Sequence, residues 1–249
     1  MFIHYRTQGL IFKKEDLGET NQLFTIYTKD FGKLEILGKA IRKISSKLKS
    51  GAELFYLSEI EFIQGKTHKT LTDAILIENF PNIKKDLKRL KIAYQIVDAL
   101  DNMVKGQEPD EKIWQLLNET FERLNANTLK PVTCNLVYYY FLWNFLAILG
   151  YQPELYHCSL CQKKISPEKV YFSSKEGGLI CRKCFSETGA PSRLGKEIQP
   201  ETIKIIRLML QKDWKTLLKL KIEAKYLKEL FLVSKSYFSK ICGENSLSS

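Results

Sequence analysis

The feature that most constrains this chain is a pair of CxxC turns. Cys158-Ser159-Leu160-Cys161 is followed, after nineteen residues, by Cys181-Arg182-Lys183-Cys184. Four thiols at that spacing read as a zinc site, because zinc takes soft ligands tetrahedrally and each turn presents two sulfurs. Between the turns lies VYFSSKEGGLI, where Gly177-Gly178 is a hairpin signal that would return the second pair onto the first. Four thiolates leave no position for an activated water, so a single Zn2+ held by Cys158, Cys161, Cys181 and Cys184 is expected to be structural. Redox or disulfide pairing is the alternative. Thioredoxin-like chemistry normally places one CxxC near a βαβ pattern, which is absent. His157 adjoins Cys158, but four thiolates already fill the shell. Cys134 and Cys242 have no partner by spacing and read as buried small side chains.

Six cysteines suit metal binding or free thiols if the compartment is reducing. The opening MFIHYRTQGL lacks the apolar core and small-residue cleavage site of a secretory signal, so a cytoplasmic protein is expected. The most apolar run, LVYYYFLWNFLAIL from Leu136 to Leu149, is shorter than the roughly 20 residues that span a bilayer and contains Asn144. It reads as a buried core helix.

The first eighty residues have the period of strands. NQLFTIYT (Asn21–Thr28) alternates and is rich in β-branched and aromatic residues. Lys29-Asp30-Phe31-Gly32 is a turn, and KLEILG (Lys33–Gly38) completes a hairpin. Phe2–Lys14, bent near Gly9, Glu53–Gln64 and Thr70–Glu78 supply the other strands. Five strands in that length suit a small barrel of the oligonucleotide-binding (OB) or SH3-like kind.

The net charge is +11, a weak sign of polyanion binding by itself. The sharpest cluster is Lys33–Gly51, six basic residues against Glu35 alone. It includes a long connection in which Ser45, Ser46 and Ser50 lie among lysines. Such a loop can track phosphates, since each neutralised phosphate releases a counterion and small hydroxyls leave access open. The candidate DNA contacts are Lys39, Arg42, Lys43, Lys47 and Lys49, with Arg6 and Lys33 as weaker candidates. Tyr27 and Phe31 could stack on bases, but core positions suit both better. The C-terminal lysines Lys215, Lys219, Lys221 and Lys225 could extend the path, and solvated helix faces explain them slightly better.

After Pro81 the period becomes helical. Ile83, Leu87, Leu90, Tyr94, Val97 and Leu100 form one stripe. Pro109-Asp110-Glu111 starts a second helix, with acids at the positive end of its dipole. Pro131 opens the apolar helix that ends at Gly150, and its all-round apolarity predicts a central position. Pro200, Trp214 and Leu227–Val233 mark three more helices, and GENSLSS a frayed tail. The expected fold is α+β and multi-domain: a barrel over 1–80, a helical domain over 81–150 and 191–249, and a zinc module over 151–190. There is no Walker-type phosphate loop and no GxGxxG, and no arrangement of His4, His68 and His157 promotes a catalytic site. A binding protein is expected rather than an enzyme. A zinc-ribbon/OB factor of transcription or translation is the rival reading.

Two stretches, GETNQLFTIYTKDFGKLEILGKAIRK (Gly18–Lys43) and FLWNFLAILGYQPELYHCSLC (Phe141–Cys161), resemble the bacterial RecO family of recombination mediators. The late SKSYF (Ser234–Phe238) is similar to the family's terminal helix, with Lys235 where arginine is usual. Ile41 stands where a smaller residue is more common. The resemblance covers essentially the whole chain. It implies an N-terminal OB-fold barrel and a helical domain carrying a four-cysteine zinc module. It also implies binding of single- and double-stranded DNA, annealing of complementary strands, and a place at the nucleoid. The implied partners are RecR, single-strand-binding protein and, indirectly, RecA. The acidic, apolar tail of single-strand-binding protein would dock in a lysine-rimmed groove on the helical domain, which the sequence does not place.

Overall fold

The computed structural model describes residues 3–44, 46–129, 133–166, 169–187 and 195–245. The chain divides into two compact units, residues 1–134 and 135–249.

In the first unit, β1 (His4–Leu17), β2 (Asn21–Thr28), β3 (Gly32–Gly38), β4 (Leu57–Gln64) and β5 (Lys69–Glu78) close into a barrel of order β1-β2-β3-β5-β4. All pairings are antiparallel except β3 with β5. This is an OB-like barrel. β1 is long enough to serve two neighbours: His4–Leu10 pairs with β4, and Gly9–Leu17 with β2. The pairings overlap at Gly9, where a Cβ would lie 2.6 Å from Ile26 Cγ2. A register shift between Ile11 and Lys13 completes the bend. Phe2 lies outside the described residues.

The fourth strand begins at Leu57, later than the alternation from Glu53 suggests. Phe55 takes a left-handed φ of 58° and is fully buried, and its N–H donates to Ile11 O at 2.7 Å. The segment therefore turns inward before it pairs.

β3 and β5 pair only at Ile36–Lys69 and Leu37–Thr70. The connection from Lys39 to Tyr56 fills the remaining seam. Ile41 and Ala52 join the barrel core and Leu48 packs against it. Gly51 abuts β5 so closely that a Cβ would lie 1.9 Å from Ala74 O. The unusual Ile41 is thus a plug: it is fully buried while Arg42 and Lys43 beside it are exposed. A short 3-10 turn, Lys47–Ser50, carries the later lysines.

Helices α1 (Pro81–Lys85), α2 (Leu87–Met103) and α3 (Glu111–Asn125) follow in the same unit. Asp86 takes an extended conformation between α1 and α2 and caps α2 by accepting from Lys88 N and Arg89 N. That break shifts the helical phase. Leu87 is 85% exposed and Tyr94 half-exposed, whereas Ile92, Ala93, Ile96, Val97 and Leu100 form the buried face. Asp110 caps α3 in the same way.

Arg89 is buried, and its guanidinium donates to Leu124 O at 2.9 Å, Ala126 O at 3.0 Å and Leu129 O at 3.2 Å. It closes the C-terminal end of α3, where carbonyls lack intrahelical partners and the dipole is negative. Arg89→Ala is expected to cost about 3 kcal/mol, since buried carbonyls lose a charged donor. Urea denaturation measures this, and a loss near zero would show that water replaces the guanidinium.

The second unit is built on α4 (Cys134–Ile148). Tyr140, Phe141, Trp143, Phe145 and Leu146 are fully buried. Asn144 is buried as well, and donates to Tyr140 O at 2.8 Å and Met209 O at 2.9 Å. Its amide thus ties α4 to α6 (Pro200–Leu210). Tyr140 meets Trp214 of α7 (Trp214–Lys219). Trp143 stacks on Tyr237 of α8 (Ala224–Asn245) and donates to Ser234 Oγ at 3.1 Å. The apolar helix is central to its unit, as its composition predicts. α8 is longer than its apolar stripe suggests and runs through Gly243; residues 246–249 of the expected frayed tail lie outside the described ones. Strands β6 (Val170–Ser173), β7 (Gly178–Cys181) and β8 (Lys196–Ile198) form a sheet of order β7-β6-β8, and α5 (Arg182–Glu187) follows β7.

Candidate metal centre and nucleic-acid surface

The β6–β7 hairpin turns over residues 174–177, with Gly177 at a left-handed φ of 69° and Gly178 opening β7 opposite Ser173, which sets Val170 opposite Cys181. Gly178 has no room for a side chain: a Cβ would lie 2.4 Å from Glu154 O and 2.8 Å from Ser159 Oγ. That close approach docks the first CxxC turn on the hairpin, through Leu179 N to Glu154 O at 2.9 Å and Ser159 N to Leu179 O at 2.8 Å. Gln162 follows Cys161 with a left-handed φ of 61°, which lets the turn close with Gln162 N on Cys158 O at 2.9 Å. Cys181 ends β7, and Cys184 lies in α5.

The four sulfurs of Cys158, Cys161, Cys181 and Cys184 all lie within 4.8 Å of one another. Cys161 Sγ and Cys181 Sγ are 3.9 Å apart. Tetrahedral zinc with bonds of about 2.3 Å separates its sulfurs by about 3.8 Å, so the cluster fits that ion, whereas a disulfide needs about 2.05 Å. The chemistry of the donors agrees. Burial pushes the Cys158 thiol up, but backbone N–H groups of Cys161, Cys181 and Leu160 outweigh it and bring it down to about 6. Burial and the neighbouring thiols push Cys184 up to about 12. One thiol gives up its proton readily and another holds it, because adjacent sulfurs cannot share negative charge without a cation. The four cysteines can hold a metal ion. His157 stands outside the cluster, 3.7 Å from Glu154.

The candidate DNA contacts separate into two groups. Lys39, Lys43, Lys47 and Lys49 are exposed and make no ion pair with any described residue. The others are engaged. Arg42 pairs with Asp16 at 3.2 Å and donates to Gly18 O at 3.2 Å. Lys33 is half-buried and bonds Asp101 Oδ1 at 3.0 Å. Arg6 lies between Glu61 at 3.0 Å and Glu59 at 3.2 Å, and these carboxylates raise its pKa. Tyr27 is fully buried, and burial lifts its hydroxyl to about 12. Phe31 packs edge-on against Tyr5 and Phe62.

A groove of about 480 Å³ in the second unit has no counterpart among the sequence expectations for named residues. Phe172, Leu232 and Val233 supply apolar lining, and Lys175, Lys196, Lys225, Lys228 and Lys240 are its cations. Of its acids, Glu229 is engaged with Gln199 N at 3.1 Å and Thr202 Oγ1, and Glu197 makes only a loose, exposed pair with Lys169 at 3.5 Å, so five lysines face two carboxylates. The helical spacing of Lys225, Lys228, Leu232, Ser236 and Lys240 is the signal that could have located one wall. No helix among the described residues is long and apolar enough to cross a membrane.

Comparison with known proteins agrees with this architecture. Residues 1–80 match the family model for the recombination protein O N terminal, and residues 84–248 that for the recombination protein O C terminal. The chain is 30% identical over 228 residues to the DNA repair protein RecO of Dehalococcoides mccartyi strain BAV1, covering 92% of this chain and 87% of that one. It is 28% identical over 246 residues to the DNA repair protein RecO of Desulfitobacterium hafniense strain DCB-2, covering 98% and 87%. With the DNA repair protein RecO of Acetivibrio thermocellus the identity is 26% over 243 residues, covering 97% and 93%. An OB-like barrel followed by a helical unit with a four-cysteine cluster, matched along nearly its whole length, places this chain in the RecO family of DNA repair proteins.

Proposed function

We propose that the protein binds single- and double-stranded DNA, anneals complementary strands, and acts with RecR to load RecA onto DNA coated by single-strand-binding protein. The carrying observation is the connection that seals the barrel. Its apolar residues Ile41 and Ala52 enter the core, while Lys39, Lys43, Lys47 and Lys49 stay exposed without ion pairs among the described residues. Annealing makes and breaks no covalent bond. It needs a surface that neutralises two phosphate backbones and leaves base edges free, and lysines supply charge without reading sequence. The role is therefore binding rather than catalysis, exercised in the cytoplasm at the nucleoid. The ion at the four cysteines is zinc, and it holds the knuckle rather than reacting.

The lysine-rimmed groove suits the acidic, apolar tail of single-strand-binding protein: Leu232 and Val233 would take its apolar side chains and the lysines its carboxylates. The test is fluorescence-monitored annealing of complementary strands, bare or coated with the cognate single-strand-binding protein. Acceleration of both, lost at high salt, is expected. Removing the coating protein's tail should abolish acceleration of coated strands alone. No acceleration of bare strands would sink the annealing reading and favour a factor that works on RNA or polymerase.

A further inference from the structure

The zinc module carries a second cluster of cations that the barrel does not explain. The register that sets Val170 opposite Cys181 places Lys169 next to Arg182, where the hairpin leaves the sheet. Lys183 follows. With Ser166, Ile165 and Val170, these three side chains line a cavity of about 90 Å³ beside the second CxxC turn. Phe185 stacks on Tyr171 with ring centroids 3.5 Å apart, which ties α5, and so Arg182 and Lys183, to β6. The cluster is therefore held by the sheet rather than by a free loop.

Its charges are available. Arg182 makes no ion pair with a described residue. Lys169 meets Glu197 at 3.5 Å and Lys183 meets Glu187 at 3.8 Å, and in both pairs the side chains are well exposed. Exposed pairs of this kind contribute about 0–1 kcal/mol, so an incoming anion displaces them at little cost. An arginine fork, two ammonium groups and a serine hydroxyl around a small cavity match the size and hydrogen-bonding needs of one phosphate.

We propose that Lys169, Arg182 and Lys183 form a phosphate-binding cleft for the DNA backbone, so that the zinc module is a second DNA contact and not only a brace. This rests on the DNA-binding reading above. It gives that reading a second strand-holding element, in a different unit from the basic barrel connection. A competing role is electrostatic: zinc with four thiolates carries net negative charge, which nearby cations offset.

The test is lysine footprinting of the full, zinc-loaded protein by acetylation and mass spectrometry, with and without saturating oligothymidine. A triple variant, Lys169→Gln, Arg182→Gln and Lys183→Gln, is titrated with the same strand. Protection of Lys169 and Lys183 together with Lys43 and Lys47 is expected. In the variant, the slope of log affinity against log salt should fall by about 0.7 per lost contact. Protection confined to Lys43 and Lys47 overturns the cleft but leaves DNA binding by the barrel standing. Protection at none of these lysines overturns both. If the variant loses zinc, the footprint on the unsubstituted protein decides. Unprotected Lys169 and Lys183 would then assign the cations to the metal centre.

Discussion

If the four cysteines hold zinc as proposed, replacing Cys158 with serine, or stripping the ion with a chelator, is expected to unravel the four-cysteine module while leaving the barrel folded. Structural zinc sites contribute about 10–16 kcal/mol in small zinc-finger peptides, comparable to the whole stability of a domain at about 5–15 kcal/mol. The module has little else. Its knuckle is joined to the hairpin by a few backbone bonds, such as Ser159 N to Leu179 O at 2.8 Å and Leu179 N to Glu154 O at 2.9 Å. Phe172 is better anchored, against Trp143 and Tyr237. Amide exchange is therefore expected to rise first over 155–166 and 178–187, and only later at the α4–α8 contact. The pH dependence of the loaded module has a definite sign: its ligands bind as thiolates, so protons compete with the ion and the module should lose it, and its fold, as pH falls. The metal-free cluster has no such single sign, because Cys158 is brought down to about 6 while Cys184 is pushed up to about 12, and the two shifts oppose each other in folding stability. Exchange that stays unchanged after complete chelation would make the cysteines a passive cluster.

The barrel was legible because its signals are local. β-Branched and aromatic residues in Asn21–Thr28 and the Lys29–Gly32 turn mark β2 and β3 without distant information, although Phe24 to Thr28 are buried one after another rather than in the expected alternation, because this end of β2 is covered on both faces. The CxxC spacing and the paired glycines likewise contain the metal centre, since both hairpin arms and both turns lie within thirty residues. What stayed hidden depends on residues far apart. Leu87 keeps the spacing of a buried stripe, but Asp86 breaks the helix just before it and the phase is lost. The groove draws on residues near 172, 196 and 225–240, and no window of the sequence contains all three.

Charge raises the same difficulty in a sharper form. Seven basic residues of the barrel look alike as letters, yet Arg6 meets Glu59 and Glu61, Lys33 meets Asp101, and Arg42 meets Asp16. Each of these acids is distant in sequence from its partner, so the compensation follows from the closed barrel and from α2 packed on it. A basic side chain counts toward a polyanion surface when the fold leaves it unpaired or holds it only in a loose, exposed pair; Arg6, between two carboxylates at 3.0 and 3.2 Å, and Lys33, half-buried against Asp101, are held more tightly than that.

Changing Lys39, Lys43, Lys47 and Lys49 together to glutamine should therefore remove most DNA binding, whereas Arg6→Gln and Lys33→Gln should each remove little. Four single-strand phosphate contacts carry a salt slope of about 0.7 each, which at ~0.1 M salt amounts to a loss of roughly 10²–10³ in affinity. The fold should tolerate the change. The four side chains are exposed and make no ion pair among the described residues, and surface substitutions of that kind stay within about 0.5 kcal/mol. The plug beneath them is untouched: Ile41 and Ala52 remain in the core, with Leu48 against it. Lys33→Gln differs in kind, because it removes a tie to α2 and should lower stability more than affinity. Fluorescence anisotropy over a salt series, read beside thermal melting, separates the two effects. A quadruple variant that melts normally and keeps its slope would move the DNA path off this connection. One that melts normally and binds weakly, with a flattened slope, would locate it there.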